Sequence, residues 1–228
     1  RDLHAAGDPV ALARTYYEQG ADELVFLDIG AAPRGRPTMI EVVENVSRRV
    51  FVPLTVGGGI RNAADMRRAL AAGADKVAVC TAALENPALL AEGARLFGRQ
   101  CVVLSIDAQR DGERWFCYTH GGRRQTGRDA VEWAEQGAAL GAGEILLNSI
   151  DRDGTRAGYD LDLTRRVAER VGVPVIASGG AGDLEQIYAA VAEGKADAVL
   201  IASLLHYGAH TVAGIKKRLA AKGVPVRW

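Results

Sequence analysis

The chain contains two near copies of one strand–turn–helix–strand unit, and this duplication constrains the fold more than any other feature. One copy runs from Leu54 to Thr81 and the other from Val175 to Ser203. In each copy a strand leads into a glycine-rich turn, which is followed by a helix of about a dozen residues and a second strand. Gly58 and Gly180 hold matching places in the two turns, 122 positions apart.

A second matching pair, Glu23–Leu27 and Glu144–Asn148, has an offset of 121 residues. Hydrophobic periodicity along the whole chain predicts seven strands and eight helices in strict alternation. The strands are apolar on both faces, as in a parallel sheet covered by helices. The sequence therefore predicts an α/β protein, a (βα)8 TIM barrel with a two-fold internal repeat, in which residues 1–228 form one domain.

Some elements of this prediction bear directly on the site. Two strands are predicted at Cys101–Ile106 and Ala198–Ala202, and a helix at Glu85–Phe97. An inserted hairpin is predicted to include Trp115–His120, and a polar loop is predicted at 33–37. A half-repeat near 121 residues implies a parent of about 240 residues, so seven of the eight strands are expected here and the first is expected to be missing. A barrel of seven strands would be open along one edge.

Composition excludes some classes of function. The formal net charge is zero, which favours neither nucleic acid nor an anionic membrane as a partner. The three cysteines, Cys80, Cys101 and Cys117, form no CxxC pair, so reduced thiols in a cytoplasmic protein are expected. No apolar run approaches the ~18–20 residues that a membrane span needs. His4, His120, His206 and His210 lack metal-ligand spacing, and no metal site is expected.

The two glycine turns are candidate phosphate sites. In a barrel of this class the active site lies at the carboxyl ends of the strands. A glycine turn at the start of a helix offers free N–H groups to a phosphate, and turns related by duplication should face each other across the barrel mouth. Each unit also ends in a small hydroxyl residue, Thr81 or Ser203. A ligand that touches both turns would carry two phosphates; the alternative is that the glycines only permit tight turns.

Asp107 is the candidate proton-transfer group, because it closes an apolar strand and would be held over the barrel mouth. The alternative is an acid that caps the next loop. Asp153 and Gly154 form either a turn or part of the site. At the opposite ends of the strands stand Glu23, Lys76 and Glu144, which form either a ring of salt bridges or solvated loop ends.

The chain resembles the cyclase subunit of imidazole glycerol phosphate synthase, an enzyme of histidine biosynthesis. The resemblance covers the chain from about Leu3 to its end. It is carried by Ile106-Asp107-Ala108, Ser149–Thr155, Gly158-Tyr159-Asp160, Ala177–Gly182 and Leu205-His206-Tyr207. The sister isomerase of phosphoribosylformimino-AICAR phosphate shares the duplicated barrel and the Asp-Gly-Thr loop. The Ser-Gly-Gly-Ala-Gly turn and the inserted hairpin are more similar to the cyclase.

The resemblance implies a bisphosphate substrate, PRFAR, and ammonia supplied by a glutaminase partner in a heterodimer, with no cofactor. It implies that Asp107 is one of two catalytic carboxylates and that Gly59 and Thr81 bind one phosphate. The other phosphate would be bound by a second set of residues, Asp153, Gly154, Ser178, Gly180, Ala202 and Ser203. Glu23, Lys76 and Glu144 would belong to a gate that admits ammonia to the barrel.

Three departures from the family pattern stand out. The first strand, with the second catalytic aspartate, a fourth gate residue and a loop, is not found in this sequence, so these residues alone are expected to be nearly inactive. Cys80 stands where the family usually has asparagine, and Lys195 resembles a one-residue insertion. Two alternatives therefore stay open, the isomerase and a non-catalytic barrel that binds phosphate or a partner.

Overall fold

The computed structural model describes residues 7–31, 37–206, 208 and 210–228, and within them nine strands form one sheet. The strands are β1 (Leu24–Leu27), β2 (Leu54–Gly57), β3 (Lys76–Val79), β4 (Val102–Asp111), β5 (Arg114–Thr119), β6 (Arg124–Asp129), β7 (Glu144–Ser149), β8 (Val175–Ser178) and β9 (Ala198–Val199). Apart from Pro37, the loop predicted at 33–37 lies outside the described residues.

The described helices lie between the strands of the parallel sheet as predicted, except that two helices in succession follow β3 and two follow β9. They are α1 (Pro9–Glu18), α2 (Ile40–Ser47), α3 (Ala63–Ala71), α4 (Thr81–Glu85), α5 (Ala88–Phe97), α6 (Ala130–Ala139), α7 (Leu161–Ala168), α8 (Leu184–Ala192), α9 (Ser203–His206) and α10 (Val212–Ala221), and one 3-10 turn lies at Arg99–Cys101. None of these described helices has the length and apolar character that a membrane crossing requires.

Seven strands form the parallel part of the sheet, in the order β1-β2-β3-β4-β7-β8-β9. Side chains from five of them meet in one interior layer with Leu200, the residue that follows β9: Ala78, Val103 and Leu146 are buried there, and Val25, Ile176 and Leu200 pack against them. Because strands from both ends of the sheet share this layer, the sheet curls around a common interior, as the predicted (βα)8 barrel requires. Within the described residues no pairing joins β1 to β9, which agrees with the open edge expected for seven strands.

The predicted two-fold repeat is confirmed by matching hydrogen bonds in the two halves. Asn62 Oδ1 accepts a bond of 2.9 Å from the N–H of Asp65 at the start of α3. Asp183 Oδ1 accepts the same bond, of 2.8 Å, from Gln186 at the start of α8. The side chains of Asp65 and Gln186 each accept a bond from the residue before the cap, so both helices begin with one capping arrangement.

The helices pack against the outside of the sheet and form the main hydrophobic core. Trp133 on α6 and Leu104 on β4 are both fully buried there. A Cβ on Gly137 would lie 2.2 Å from the Leu104 side chain, so glycine lets α6 approach the sheet closely. This outer core holds the strands in place and leaves their carboxyl ends free for the site.

The inserted hairpin is larger than predicted. β4 does not end at Ile106 but continues to Asp111, and its second half pairs antiparallel with β5, which pairs with β6. We call this three-stranded segment, Asp107–Asp129, the arm. Trp115 anchors it, because the indole ring is buried and its Nε1–H donates to Asp160 Oδ2 at 2.8 Å.

Two further predicted bounds are wrong. The helix predicted at 85–97 begins only at Ala88, as α5. The separate short helix α4 ends before it at Glu85, and Asn86-Pro87 divides the two because proline cannot donate the N–H that a continuous helix needs. The strand predicted at 198–202 pairs with β8 only over Ala198–Val199, although the N–H of Leu200 still donates to Ala177 at 2.8 Å.

Candidate active site

A cavity of about 950 Å³ lies at the carboxyl ends of the parallel strands and extends into the barrel interior. Six residues predicted from the sequence line it: Gly59, Thr81, Asp107, Asp153, Ser178 and Ala202. Gly154, Gly180 and Ser203 do not line the cavity itself but belong to the loops at its rim. The structure therefore brings most of the predicted residues to one concave surface, the usual setting of a ligand site.

Asp107 lies where β4 leaves the barrel and enters the arm, with Asn148 of β7 on one side and Tyr118 of β5 on the other. Its side chain faces inward and is half-buried. Asp107 Oδ1 accepts a hydrogen bond of 3.0 Å from Asn148 Nδ2. The Cys80 thiol lies 3.9 Å from Oδ2. Asp107 is thus held between neighbouring strands and does not cap a loop.

The surroundings of Asp107 raise its pKa above the ordinary value of an aspartate. Burial is the largest cause and the negative charge of Asp153 adds to it, while the bonds from Asn148 and Cys80 oppose the shift. Burial and the charge of Asp107 also raise the pKa of Cys80 well above its ordinary value, so that side chain stays a neutral thiol. A carboxylate in such surroundings can accept and return a proton nearer to neutral pH.

The first glycine turn lies between β2 and α3. Gly58 has a φ of 83° and Gly59 a φ of 76°, in the left-handed region that favours glycine. A Cβ on Gly58 would lie 2.2 Å from the carbonyl oxygen of Asp28, so a larger residue does not fit. Thr81 begins α4, shortly after the end of β3. Its Oγ1 accepts a hydrogen bond of 3.0 Å from the N–H of His120.

The second glycine turn follows β8 and has the same design. Gly179 and Gly180 have φ values of 87° and 105°. The Gly180 carbonyl accepts a 2.8 Å bond from the N–H of Gly158, and a Cβ on Gly180 would lie 2.2 Å from the Gly158 carbonyl oxygen. Ser203 begins α9 after the next strand, β9, as Thr81 begins α4 after β3 in the other half.

The loop after β7 contacts the arm and also contributes a residue to the cavity wall. Asp151 Oδ2 accepts a bond of 2.8 Å from the N–H of Arg110, which ties this loop to the arm. Asp153 lines the cavity, and its charge acts on Asp107. Gly154 has a φ of 75° and makes the turn. Asp153 and Gly154 are therefore a turn that also brings a carboxylate to the site.

At the opposite end of the barrel the predicted ring of salt bridges is present. Lys76 Nζ lies 2.8 Å from Glu23 Oε2 and 2.6 Å from Glu144 Oε1. Thr55 Oγ1 donates to the other oxygen of Glu23 at 2.5 Å. Burial lowers the pKa of Lys76, but the bonds to Glu144 and Glu23 outweigh it and the net shift is upward. These side chains form a charged layer beneath the interior and are not solvated loop ends.

Two residues of the cavity wall had no assigned role in the sequence analysis. Asn148 donates a hydrogen bond to Asp107. Its spacing in the sequence could have indicated this position, because Glu144, Leu146 and Asn148 are every second residue of β7 and share its inward face. His120 had been considered only as a metal ligand. Nothing in its local sequence indicates that the arm places it beside Thr81.

The fold and the site together define a class of protein. It is an α/β barrel with a half-buried carboxylate and two glycine turns at the carboxyl ends of its strands, an arrangement suited to acid–base chemistry on a small anionic substrate. The histidine biosynthesis protein family model matches residues 1–211, and the chain belongs to that family.

Similar proteins from three strains of Dehalococcoides mccartyi are each named imidazole glycerol phosphate synthase subunit HisF. Two of them are 58% identical to the chain and the third is 57% identical, each over 226 residues. The matched region covers 99% of the chain and 89% of each relative. The word "subunit" in these names implies that the relatives belong to a multi-subunit complex.

Proposed function

We propose that this chain, one barrel domain over residues 1–228, is the cyclase subunit of imidazole glycerol phosphate synthase. It would convert PRFAR and ammonia to imidazole glycerol phosphate and AICAR in histidine biosynthesis. The observation that carries the proposal is the position of Asp107, a carboxylate of raised pKa that lines one cavity with Gly59 of the first glycine turn and with Ser178, which directly precedes the second. The names of relatives that are 58% identical support it.

Each group of site residues has a role in this reaction. Asp107 accepts and returns protons as ammonia adds and the carbon–nitrogen bond is cleaved. Gly59 and Thr81 bind one phosphate of the substrate, through backbone N–H groups and a hydroxyl. The other phosphate is bound by Asp153, Gly154, Ser178, Gly180, Ala202 and Ser203. The matching geometry of the two turns supports binding of a molecule with a phosphate at each end.

Ammonia would come from a glutaminase subunit bound at the charged layer. Glu23, Lys76 and Glu144 form the gate in this proposal. Lys76 begins β3 and Cys80 directly follows its last residue, so the two residues are roughly 13 Å apart at the usual rise of a strand. The small side chain of Ala78 lies between them. An ammonia molecule that passes Lys76 would therefore travel through the interior towards Asp107.

The test is ammonia-dependent turnover of PRFAR by the whole protein without a glutaminase. Formation of imidazole glycerol phosphate and AICAR supports the proposal. Turnover of the isomerase substrate without ammonia would favour the sister activity. If the bisphosphate binds but is not converted, the non-catalytic barrel is favoured, and if it does not even bind, the proposal is wrong.

Replacing Lys76 by methionine tests the gate. We expect Glu23 and Glu144 to lose their shared cation, which destabilises the partly exposed cluster by about 1–3 kcal/mol. Glutamine-dependent turnover with the glutaminase should fall more than ammonia-dependent turnover. The measurements are the ratio of the two rates and the urea midpoint. Lys195→Met is the control, because Lys195 forms an exposed ion pair with Glu169. An unchanged ratio would contradict the gate.

The pH dependence of kcat/KM tests the surroundings of Asp107. If the ionised carboxylate takes a proton in the reaction, turnover is lost as the pH falls through the pKa of Asp107. Because burial raises that pKa, we expect the acidic limb above the ordinary aspartate value of about 4. An acidic limb at or below that value would show that Asp107 ionises as it does in water.

A further inference from the structure

The turn between β5 and β6 holds a histidine in an unfavourable backbone conformation. His120, Gly121 and Gly122 have φ values of 55°, 67° and 78°, all left-handed. Glycine adopts this region freely, but a histidine there costs about 1 kcal/mol. Such a residue persists only where the surrounding structure compensates for the cost, and this commonly happens at functional sites.

The backbone of His120 is held by the first phosphate-binding region. Its N–H donates to Thr81 Oγ1 at 3.0 Å. The threonine oxygen accepts this bond, so its own proton is free to point elsewhere and to be donated to a ligand. The arm thus orients the Thr81 hydroxyl as well as positioning His120.

The imidazole ring of His120 lines the same cavity as Gly59 and Thr81. Its Nδ1 is enclosed and has no hydrogen-bond partner among the described residues. The neighbouring protein groups therefore do not set the tautomer of the ring. His206, also in the cavity wall, differs, because its Nδ1 lies 2.6 Å from the Tyr16 hydroxyl. An unsatisfied ring nitrogen costs free energy that a ligand could offset by reorienting the ring.

We propose that His120 is a further ligand of the phosphate bound between Gly59 and Thr81. This inference rests on the proposed function and adds a residue to one of its two phosphate sites. The imidazole would donate to a phosphate oxygen from the side opposite the glycine turn.

A test of this proposal needs a variant that removes the imidazole ring without changing the turn. His120→Gly is such a variant, because glycine favours the left-handed conformation and keeps the N–H that donates to Thr81. His120→Asn is the rescue variant, since asparagine tolerates this conformation and carries an N–H donor. Lys195→Gly is the matched control, because Lys195 also has a φ of 58° but is exposed on the surface.

The experiment is a titration with inorganic phosphate, followed through backbone amide signals in ¹H–¹⁵N NMR spectra. In His120→Gly we expect the midpoint at Gly59 and Thr81 to rise about tenfold, the loss typical of one hydrogen bond to a charged group. The midpoint at Gly180 and Ser203 should stay within about twofold, as in the Lys195→Gly control. His120→Asn should recover part of the loss.

An unchanged midpoint at Gly59 and Thr81 would overturn the proposal, and so would equal weakening at both ends. In PRFAR turnover, His120→Gly should raise KM by about tenfold and change kcat much less, because it removes a binding contact. If the unmodified protein makes no imidazole glycerol phosphate, the proposed function fails. The phosphate titration would still decide the role of His120.

Discussion

We expect the replacement of Asp107 by asparagine to reduce ammonia-dependent turnover of PRFAR by about 10³-fold, within the range typical for loss of a general acid–base group. Asparagine has nearly the same shape and can still accept the bond that Asn148 donates to Oδ1. It cannot take a proton from the reacting atoms. The measurement is steady-state formation of imidazole glycerol phosphate, with binding of the bisphosphate measured in parallel.

The same substitution should leave the protein equally stable or slightly more stable. The folded state raises the pKa of Asp107, so at pH values above that pKa the ionised side chain is less favourable in the folded than in the unfolded protein. A neutral asparagine removes this cost at neutral pH. Active-site residues often reduce stability in this way. The free energy of unfolding at pH 7 checks the sign.

Asp111→Asn is the matched control for Asp107→Asn. Asp111 ends the same strand but is exposed on the arm. We expect its replacement to leave turnover unchanged. Normal turnover in Asp107→Asn, or an equal loss in Asp111→Asn, would show that Asp107 does not transfer the proton.

Replacing Gly180 by alanine is expected to damage both the fold and the site. The residue has a φ of 105°, and the added Cβ would lie 2.2 Å from the Gly158 carbonyl oxygen. Backbone atoms on both sides must move, which should cost more than about 2 kcal/mol. A displaced turn also misplaces the phosphate, and such misplacement can reduce turnover by about 10²-fold.

Urea unfolding and the steady-state turnover of PRFAR measure the two effects of Gly180→Ala. Gly172→Ala is the control, because nothing lies within 4 Å of where its Cβ would project. Its stability should change by no more than about 0.5 kcal/mol. If Gly180→Ala were as stable and active as Gly172→Ala, the close approach of Gly180 to Gly158 would not matter.

The sequence determined the architecture because the relevant signals are local or periodic. Apolar runs at strand spacing, caps such as Asn62 and Asp183, and glycines at matched offsets all depend on neighbours close in the chain. The duplication then related the two halves without any structure. Asp107 was found from its place at the end of an apolar strand, and the ring of Glu23, Lys76 and Glu144 from their places at strand starts; the family resemblance then suggested roles for them. The ion pairs of Lys76 agree with the predicted ring of salt bridges.

The remaining features depend on contacts between residues far apart in the chain, and only the tertiary structure decided them. The extent of the arm depends on the pairing of β4 with β5 and on the bond from Trp115 to Asp160, 45 residues away. Asn148 reaches Asp107 through strand register across 41 residues, and His120 reaches Thr81 across 39. Local propensity contains no information about such register, because packing of the whole barrel sets it. The sequence by itself therefore determined the barrel and its repeat, and tertiary packing decided which side chains surround the carboxylate and the glycine turns.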